Sequence, residues 1–200
     1  MTRPSPLSLV SILLTALLLQ ACGPAVVGGA AVGTATLIHD RRTSGTVVDD
    51  QRIEFEAASA IDAAADLKDK VRVSATSYNR VLLLTGQAPN AALRARIEAL
   101  VRPIQGVRRV VNAIILGPPA ELSEISHDTW ITTKVKTALT KIDLPDFDPL
   151  RVKVVTEQGV VYLMGLVTRE EARAVVEKVR YVDGVKKVVK IFEYIEPKTP

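Results

Sequence analysis

One stretch of this chain is written twice. Val71–Gly117 and Leu150–Pro197 align when Gly86 and Gly165 are superposed: VRVSATSYNRVLLLTGQ stands beside LRVKVVTEQGVVYLMGL. IQGVRRVVNAII then stands beside VDGVKKVVKIFE after a one-residue deletion. A duplication restricts the chain to two copies of one small architecture, each of roughly 70 residues, near the lower limit for a unit with its own core. It also supplies an internal comparison, because a feature found in one copy only is not required by the fold.

Each copy reads as α-β-β-α-β. In the first, Ile53, Ala57, Ala60, Ile61 and Ala64 recur at helical spacing and predict a helix over Gln51–Asp66, capped by Asp49 or Asp50. Val71–Thr76 and Val81–Gly86 flank a turn at Tyr78-Asn79-Arg80 and predict a hairpin. Asn90 caps a second helix with Leu93, Ile97, Leu100, Val101 and Ile104 inward, and Val107–Leu116 is the last strand. In the second copy the elements are a helix over Thr129–Ile142, strands over Leu150–Thr156 and Val160–Gly165 around Glu157-Gln158-Gly159, a helix over Thr168–Tyr181, and a strand over Val185–Ile195. The right-handed crossover makes the third strand parallel to the second and puts both helices on one face of a three-stranded mixed sheet. The other face is either exposed or covered by the second copy. The expected class is α+β.

The N-terminus sets the compartment. Arg3 precedes an apolar run, Leu7–Leu19, which has the length of a signal h-region and is short for a membrane span. Leu19-Gln20-Ala21-Cys22-Gly23 follows and resembles the bacterial lipobox, with Gln20 where a small residue is commoner. That resemblance implies cleavage before Cys22, acylation of its thiol and amine, and a residence fixed by lipid. No charge follows until Asp40, which by resemblance to proteobacterial sorting favours the outer membrane. Cys22 is the only cysteine, so no intrachain disulfide forms. Gly23–Ile38 reads as a tether and Asp40–Asp50 as a polar, turn-like linker.

The repeats resemble the BON domain. The residues that carry this are Gly159–Gly165 (GVVYLMG), the helix start Arg169-Glu170-Glu171-Ala172, and Gly184-Val185-Lys186-Lys187-Val188. The first copy keeps Val81–Gly86 and Gly106–Val110 but has Arg80 where the turn glycine belongs. With the lipobox and Asp40–Gly45 (DRRTSG), the whole is similar to the dual-BON-domain lipoproteins of the proteobacterial outer membrane, a family associated with division and envelope stress. The resemblance divides the chain into a signal peptide (1–21), an acylated cysteine and flexible tether (22–50), BON domain 1 (51–118), a linker (119–127) and BON domain 2 (128–197). It implies a periplasm-facing protein that binds anionic phospholipid, supports envelope integrity and has no enzymatic activity.

The residues themselves offer little to catalysis. His39 and His127 have no ligand partner at metal spacing, and Cys22 is committed to lipid. Asp143, Asp146 and Asp148 could attract Ca2+, but the EF-hand glycine and distal glutamate are absent, and a solvated turn explains them. No cofactor is expected. The formal charge is +4, with 12 Lys+Arg against 9 Asp+Glu in residues 39–119 and 13 against 13 in 121–200. The strands lack stacking aromatics, so nucleic acid is not an expected partner.

An offset of 78 residues aligns the first helices of the two copies. Ile131 falls on Ile53, Val135 on Ala57 and Leu139 on Ile61, so the inward stripe is shared. Outside it, Trp130 replaces Arg52, Lys134 replaces Glu56, Lys136 replaces Ala58 and Lys141 replaces Ala63. Trp130, Lys134, Thr137 and Lys141 follow one another at i, i+4, i+7 and i+11 beside the core stripe. An indole above ammonium groups is the composition of an interfacial helix. By the resemblance, these four residues form the phospholipid-binding face. Two other readings stand open. Trp130 packs as core under the linker or against the first copy, or the repeats grip another envelope protein, such as outer-membrane assembly machinery or cell-wall enzymes, through the exposed sheet face or the basic first copy. The latter's Arg94 and Arg96 read either as an anionic contact or as a solvated face.

Overall fold

The computed structural model describes residues 40–196; Cys22, the leader, the tether and His39 lie outside them. The first repeat runs α1 (Ser44–Asp62), β1 (Arg72–Tyr78), β2 (Val81–Ala88), α2 (Ala91–Val101), β3 (Arg109–Asn112) and β4 (Ile115–Leu116). The second runs α3 (Leu122–Leu139), β5 (Lys153–Glu157), β6 (Val160–Val167), α4 (Arg169–Val179) and β7 (Lys187–Tyr194). In each, the hairpin is antiparallel and the last strand pairs parallel to the middle one. Among the described residues no helix is long and apolar enough to cross a membrane.

Both first helices begin earlier than their apolar stripes. The helix expected from Gln51 starts at Ser44 with Thr43 as N-cap, its hydroxyl accepting from the Thr46 N–H at 3.2 Å. The helix expected from Thr129 starts at Leu122 behind a Glu121/Glu124 capping box, so residues 122–127, expected as linker, are its first turns. The reason is the same in both: the stripe continues one step toward the N-terminus as a carboxylate. Asp50 precedes Ile53, Ala57 and Ile61, Asp128 precedes Ile131, Val135 and Leu139, and all eight are buried.

Asp50 therefore does not cap the helix. Its carboxylate accepts from the N–H groups of Asn79 and Arg80, both at 2.7 Å, and from the Ser77 hydroxyl at 2.6 Å. Asp128 accepts from the N–H groups of Gln158 at 2.6 Å and Gly159 at 2.8 Å. Both hairpin turns hold two residues at positive φ, Asn79 and Arg80 in one, Gln158 and Gly159 in the other, which is the type I′ pattern. The left-handed conformation costs a non-glycine residue about 1–2 kcal/mol. Arg80 is held in it by Asp50 and by its own ion pair with Asp49 at 2.5 Å, which is how the first copy dispenses with the turn glycine.

The superposed glycines have a separate cause. A Cβ on Gly86 would lie 2.0 Å from the Arg72 carbonyl oxygen, and one on Gly165 would lie 2.7 Å from that of Arg151. Only hydrogen fits where the hairpin strands approach so closely. The last strand of the first sheet, expected to run unbroken over Val107–Leu116, is interrupted at Ala113–Ile114. There the Asn112 carbonyl oxygen of the side chain accepts the Ile114 N–H at 3.2 Å. The second copy has Lys190 in that place and its strand continues.

Helices and sheet enclose one core in each repeat, Ile53, Leu82, Leu84, Ile97 and Val101 in the first, Ile131, Leu163, Val175, Val179 and Phe192 in the second. A third cluster joins them. Tyr78, Val81 and Leu83 from one sheet meet Tyr162, Met164 and Ile191 from the other. The sheet faces without helices thus pack on each other, and the face that a protein partner might have used is consumed. The strand period of two sends alternate residues of β2 and β6 to the repeat core and to this shared layer. Burial pushes the Tyr78 phenol up to about 12, and its hydroxyl reaches the Arg151 carbonyl at 3.3 Å.

Ion pairs close the margins of the shared layer. Arg108 binds Glu193 at 2.7 Å. Arg41, in the segment expected to be a solvated linker, places its guanidinium on both carboxylate oxygens of Glu171 at 2.6 and 2.9 Å and on the Leu166 carbonyl at 3.0 Å. Burial would raise the Glu171 carboxyl, but the hydrogen bonds and charge of Arg41 outweigh it and hold the group low. Arg42 spans Asp40 and Asp50 and lies 4.0 Å from the Tyr78 ring centroid.

Glu157 is buried in the same layer. It accepts from the Gln87 amide at 2.6 Å, with Arg72 at 3.5 Å, and Gln87 in turn accepts the Ala120 N–H at 3.0 Å. Desolvation pushes the Glu157 carboxyl above its ordinary range. Its folded pKa therefore exceeds the unfolded one, so its contribution to stability is fully present below about pH 4.3 and is lost as pH rises through the folded pKa. Glu157→Gln removes this loss. Its melting temperature, relative to wild type, should climb between pH 4 and pH 7.5 in calorimetry; a constant difference would contradict the assignment. For the turn clamp, Asp128→Ala strands two N–H groups and should cost about 3 kcal/mol in urea unfolding.

Candidate functional site

Trp130 stands on the outer face of α3, one position before the buried Ile131, and is 60% exposed. It is not core. Beside it α3 and α4 leave a groove of ≈ 650 Å³, lined by Trp130, Lys134 and Thr137 from α3, by Lys141 in the turn that follows it, and by Lys178 and Tyr181 from the other side. All four residues singled out from the sequence are thus brought together, although the helix expected to run to Ile142 ends at Leu139. Thr137 contributes differently from the rest: its hydroxyl donates to the Thr133 carbonyl at 2.9 Å, so it supplies groove surface and not a donor for a ligand.

The charges of the groove are arranged around one contact. Lys134 donates to Asp183 at 2.7 Å, and its ammonium lies 5.9 Å from the Trp130 ring centroid. The hydrogen bond and then the charge of Lys134 hold the Asp183 carboxyl below the usual range, although that side chain is 96% exposed. A surface ion pair of this kind is weak and exchanges readily. Lys141 and Lys178 add two ammonium groups without an ion pair among the described residues, and Glu177 is the one acid lining the groove.

Tyr181 and Lys178 lie outside the residues that sequence reasoning selected. Tyr181 is 72% exposed, with the Arg180 guanidinium 5.1 Å from its ring centroid. A signal was available: at the same offset of 78, Tyr181 falls on Pro103, so the second aromatic is also confined to one copy. The first repeat closes the equivalent place by itself. Arg52, at the position of Trp130, pairs with Glu56 at 2.7 Å and donates to the Gln105 carbonyl at 2.7 Å. The exposed apolar residues of α1 are Val48 and Phe55, without cations converging on them.

Among the described residues no group of His, Cys, Asp or Glu side chains gathers in a way that could hold a metal ion. In the loop suggested for Ca2+, Asp148 caps a short 3-10 turn, accepting from the Leu150 N–H at 2.8 Å. The groove offers a polarisable, half-wet aromatic pair beside ammonium groups, which suits an amphiphile with an anionic head. An indole that carries no structural weight makes a clear expectation. Trp130→Ala should change unfolding free energy by less than about 1 kcal/mol. As the only tryptophan, its fluorescence should be quenched readily by iodide in the wild type.

The family model described as the BON domain matches residues 49–118 and 127–196. The outer membrane lipoprotein DolP of Haemophilus influenzae is 39% identical over 196 residues, covering 96% of this chain and 98% of that protein. A 21 kDa hemolysin of Actinobacillus pleuropneumoniae is 36% identical over 164 residues, covering 82% and 84%. Among solved structures, the C-terminal domain of CdsD, a structural protein of the type III secretion system of Chlamydia trachomatis, matches with a TM-score of 0.30 and 13% identity over 69% of this chain and 96% of that one.

Proposed function

The chain belongs to the BON-domain family, and from that premise we propose that it is an outer-membrane lipoprotein, anchored through acylated Cys22, whose second repeat docks on anionic phospholipid through the α3–α4 groove. The observation that carries this is the exposed Trp130 in a groove with Lys134, Lys141 and Lys178, at positions where the first repeat has Arg52, Glu56, Ala63 and Leu100. The indole seats at headgroup depth, and each lysine near an anionic surface adds about 1 kcal/mol. Such a contact is weak alone. Acyl chains, at about 0.8 kcal/mol per buried CH2, hold the protein at the bilayer, and the tethered groove then reads lipid composition at high effective concentration. The relationship to an outer membrane lipoprotein supports the location.

Asp183 tunes the affinity in this reading. Its carboxylate occupies Lys134 in the manner of a lipid phosphate, so a headgroup binds by displacing it. The reading is tested by sedimentation of the mature chain, carrying Cys22→Ser, with vesicles of phosphatidylcholine alone or with phosphatidylglycerol. Binding should require phosphatidylglycerol and fall at least about tenfold in Trp130→Glu, since the substitution removes the indole and adds a like charge. Asp183→Asn should bind a few-fold more tightly, and Lys134→Gln should abolish that gain. Equal binding by Trp130→Glu and wild type would remove this face from consideration.

A further inference from the structure

We propose that a second groove, between α4 and β7, seats another anionic phospholipid headgroup. It encloses ≈ 610 Å³ and is lined chiefly by Arg169, Ala172, Arg173, Val176, Lys190 and Tyr194. Small and branched aliphatic side chains supply its apolar part, and its charge comes from three cations and one acid, Glu177. The Arg169 guanidinium lies 5.0 Å from the half-exposed Tyr194 ring.

What marks this groove is the pairing of its charges. Arg151 and Arg180 of the same repeat each have a carboxylate within reach, Glu171 at 3.6 Å and Glu177 at 3.5 Å. Arg169, Arg173 and Lys190 have no such partner among the described residues. The buried acid nearest the start of α4, Glu171, is taken by Arg41 and by the Thr168 N–H. Three cations without an ion pair among the described residues thus surround a groove whose one lining acid, Glu177, pairs with Arg180 at 3.5 Å, and the excess of positive charge is the complement of a phosphate.

The first repeat shows that the fold does not ask for them. At the offset of 78, Arg169, Arg173, Lys190 and Tyr194 fall on Ala91, Ala95, Asn112 and Leu116. Asn112 there is spent on the Glu98 carboxylate and the Arg94 carbonyl, at 3.0 and 3.3 Å. The replacement of two alanines, an asparagine and a leucine by two arginines, a lysine and a tyrosine is coordinated in space though scattered along 26 residues of chain.

A lipid surface is the occupant that the geometry favours. The two grooves lie on opposite flanks of α4 and share Glu177, so they open on the same helical layer. Arg41, which sits on Glu171 and Leu166 beside the start of α4, is 19 residues from Cys22, a reach of at most about 65 Å of extended chain. This proposal shares the membrane setting of the proposed function but stands on different residues.

NMR shift mapping on the mature Cys22→Ser chain separates the two. In a Trp130→Glu background, dihexanoyl phosphatidylglycerol micelles should still move the amides of Arg173, Lys190 and Tyr194, and adding Arg173→Gln with Lys190→Gln should abolish those shifts. In the otherwise wild-type chain, the same pair should weaken binding to phosphatidylglycerol vesicles about tenfold with an unchanged melting temperature. Shifts confined to α3, or vesicle binding by the pair equal to wild type, would overturn the proposal. So would saturation of the groove by glycerol 1-phosphate at the same concentration as the lipid, since the seat would then belong to a free phosphate.

Discussion

A carboxylate enclosed between the first helix and the hairpin turn organises each repeat. Asp50 and Asp128 sit where an apolar side chain would otherwise continue the helix stripe, and each accepts N–H groups from a turn whose residues are at positive φ. A turn of that type exposes donors that no strand partner satisfies. Charged acceptors meet them without a water. The same bond fixes the helix against the hairpin at one end, so the register of the Ile-Ala-Ile and Ile-Val-Leu stripes on the sheet follows from it. Arg80 can occupy a glycine's place because the clamp is there.

The second organising contact is the back-to-back packing of the sheets. It has a consequence for function, since it leaves the helical layers as the outward surfaces. The two layers differ. On α1 the position of the indole is closed by an ion pair, whereas α3 and α4 present rings and ammonium groups. The two copies thus share their inner stripes and differ on the outside. Burial of Glu157, Gln87 and Tyr78 between them makes their docking specific, through polar groups that have few alternative partners.

Much of this was legible beforehand, and what escaped shares a cause. The stripes Ile53/Ala57/Ile61 and Ile131/Val135/Leu139 and the Asn90 cap were plain, because each depends on neighbours a few residues away; the glycine pair Gly86/Gly165 showed in the repeat, but its cause, the carbonyls of Arg72 and Arg151, did not. The outward Trp130 followed from comparing copies, although its exposure did not. Asp50 and Asp128 broke the periodic pattern and so hid the true helix starts. Tyr181 and Lys178 join Trp130 only across two helices. Asn112 ends a strand by competing for one backbone donor, a choice that depends on geometry and not on composition. Arg41 reads as linker because its acid, Glu171, lies 130 residues away, and Arg42 because its partner Asp50 reads as a helix cap.

That last pair has a mechanical meaning. Although the N-terminal segment precedes the first repeat in the chain, it is fastened to the second, by two hydrogen bonds to a part-buried carboxylate and one to the Leu166 carbonyl. Arg42, the next residue, holds Asp50 of α1 at 2.8 Å, so the lead-in is fastened to both repeats within two residues. A pull along the lead-in is therefore shared between the start of α4 and α1 and is not carried by one repeat alone.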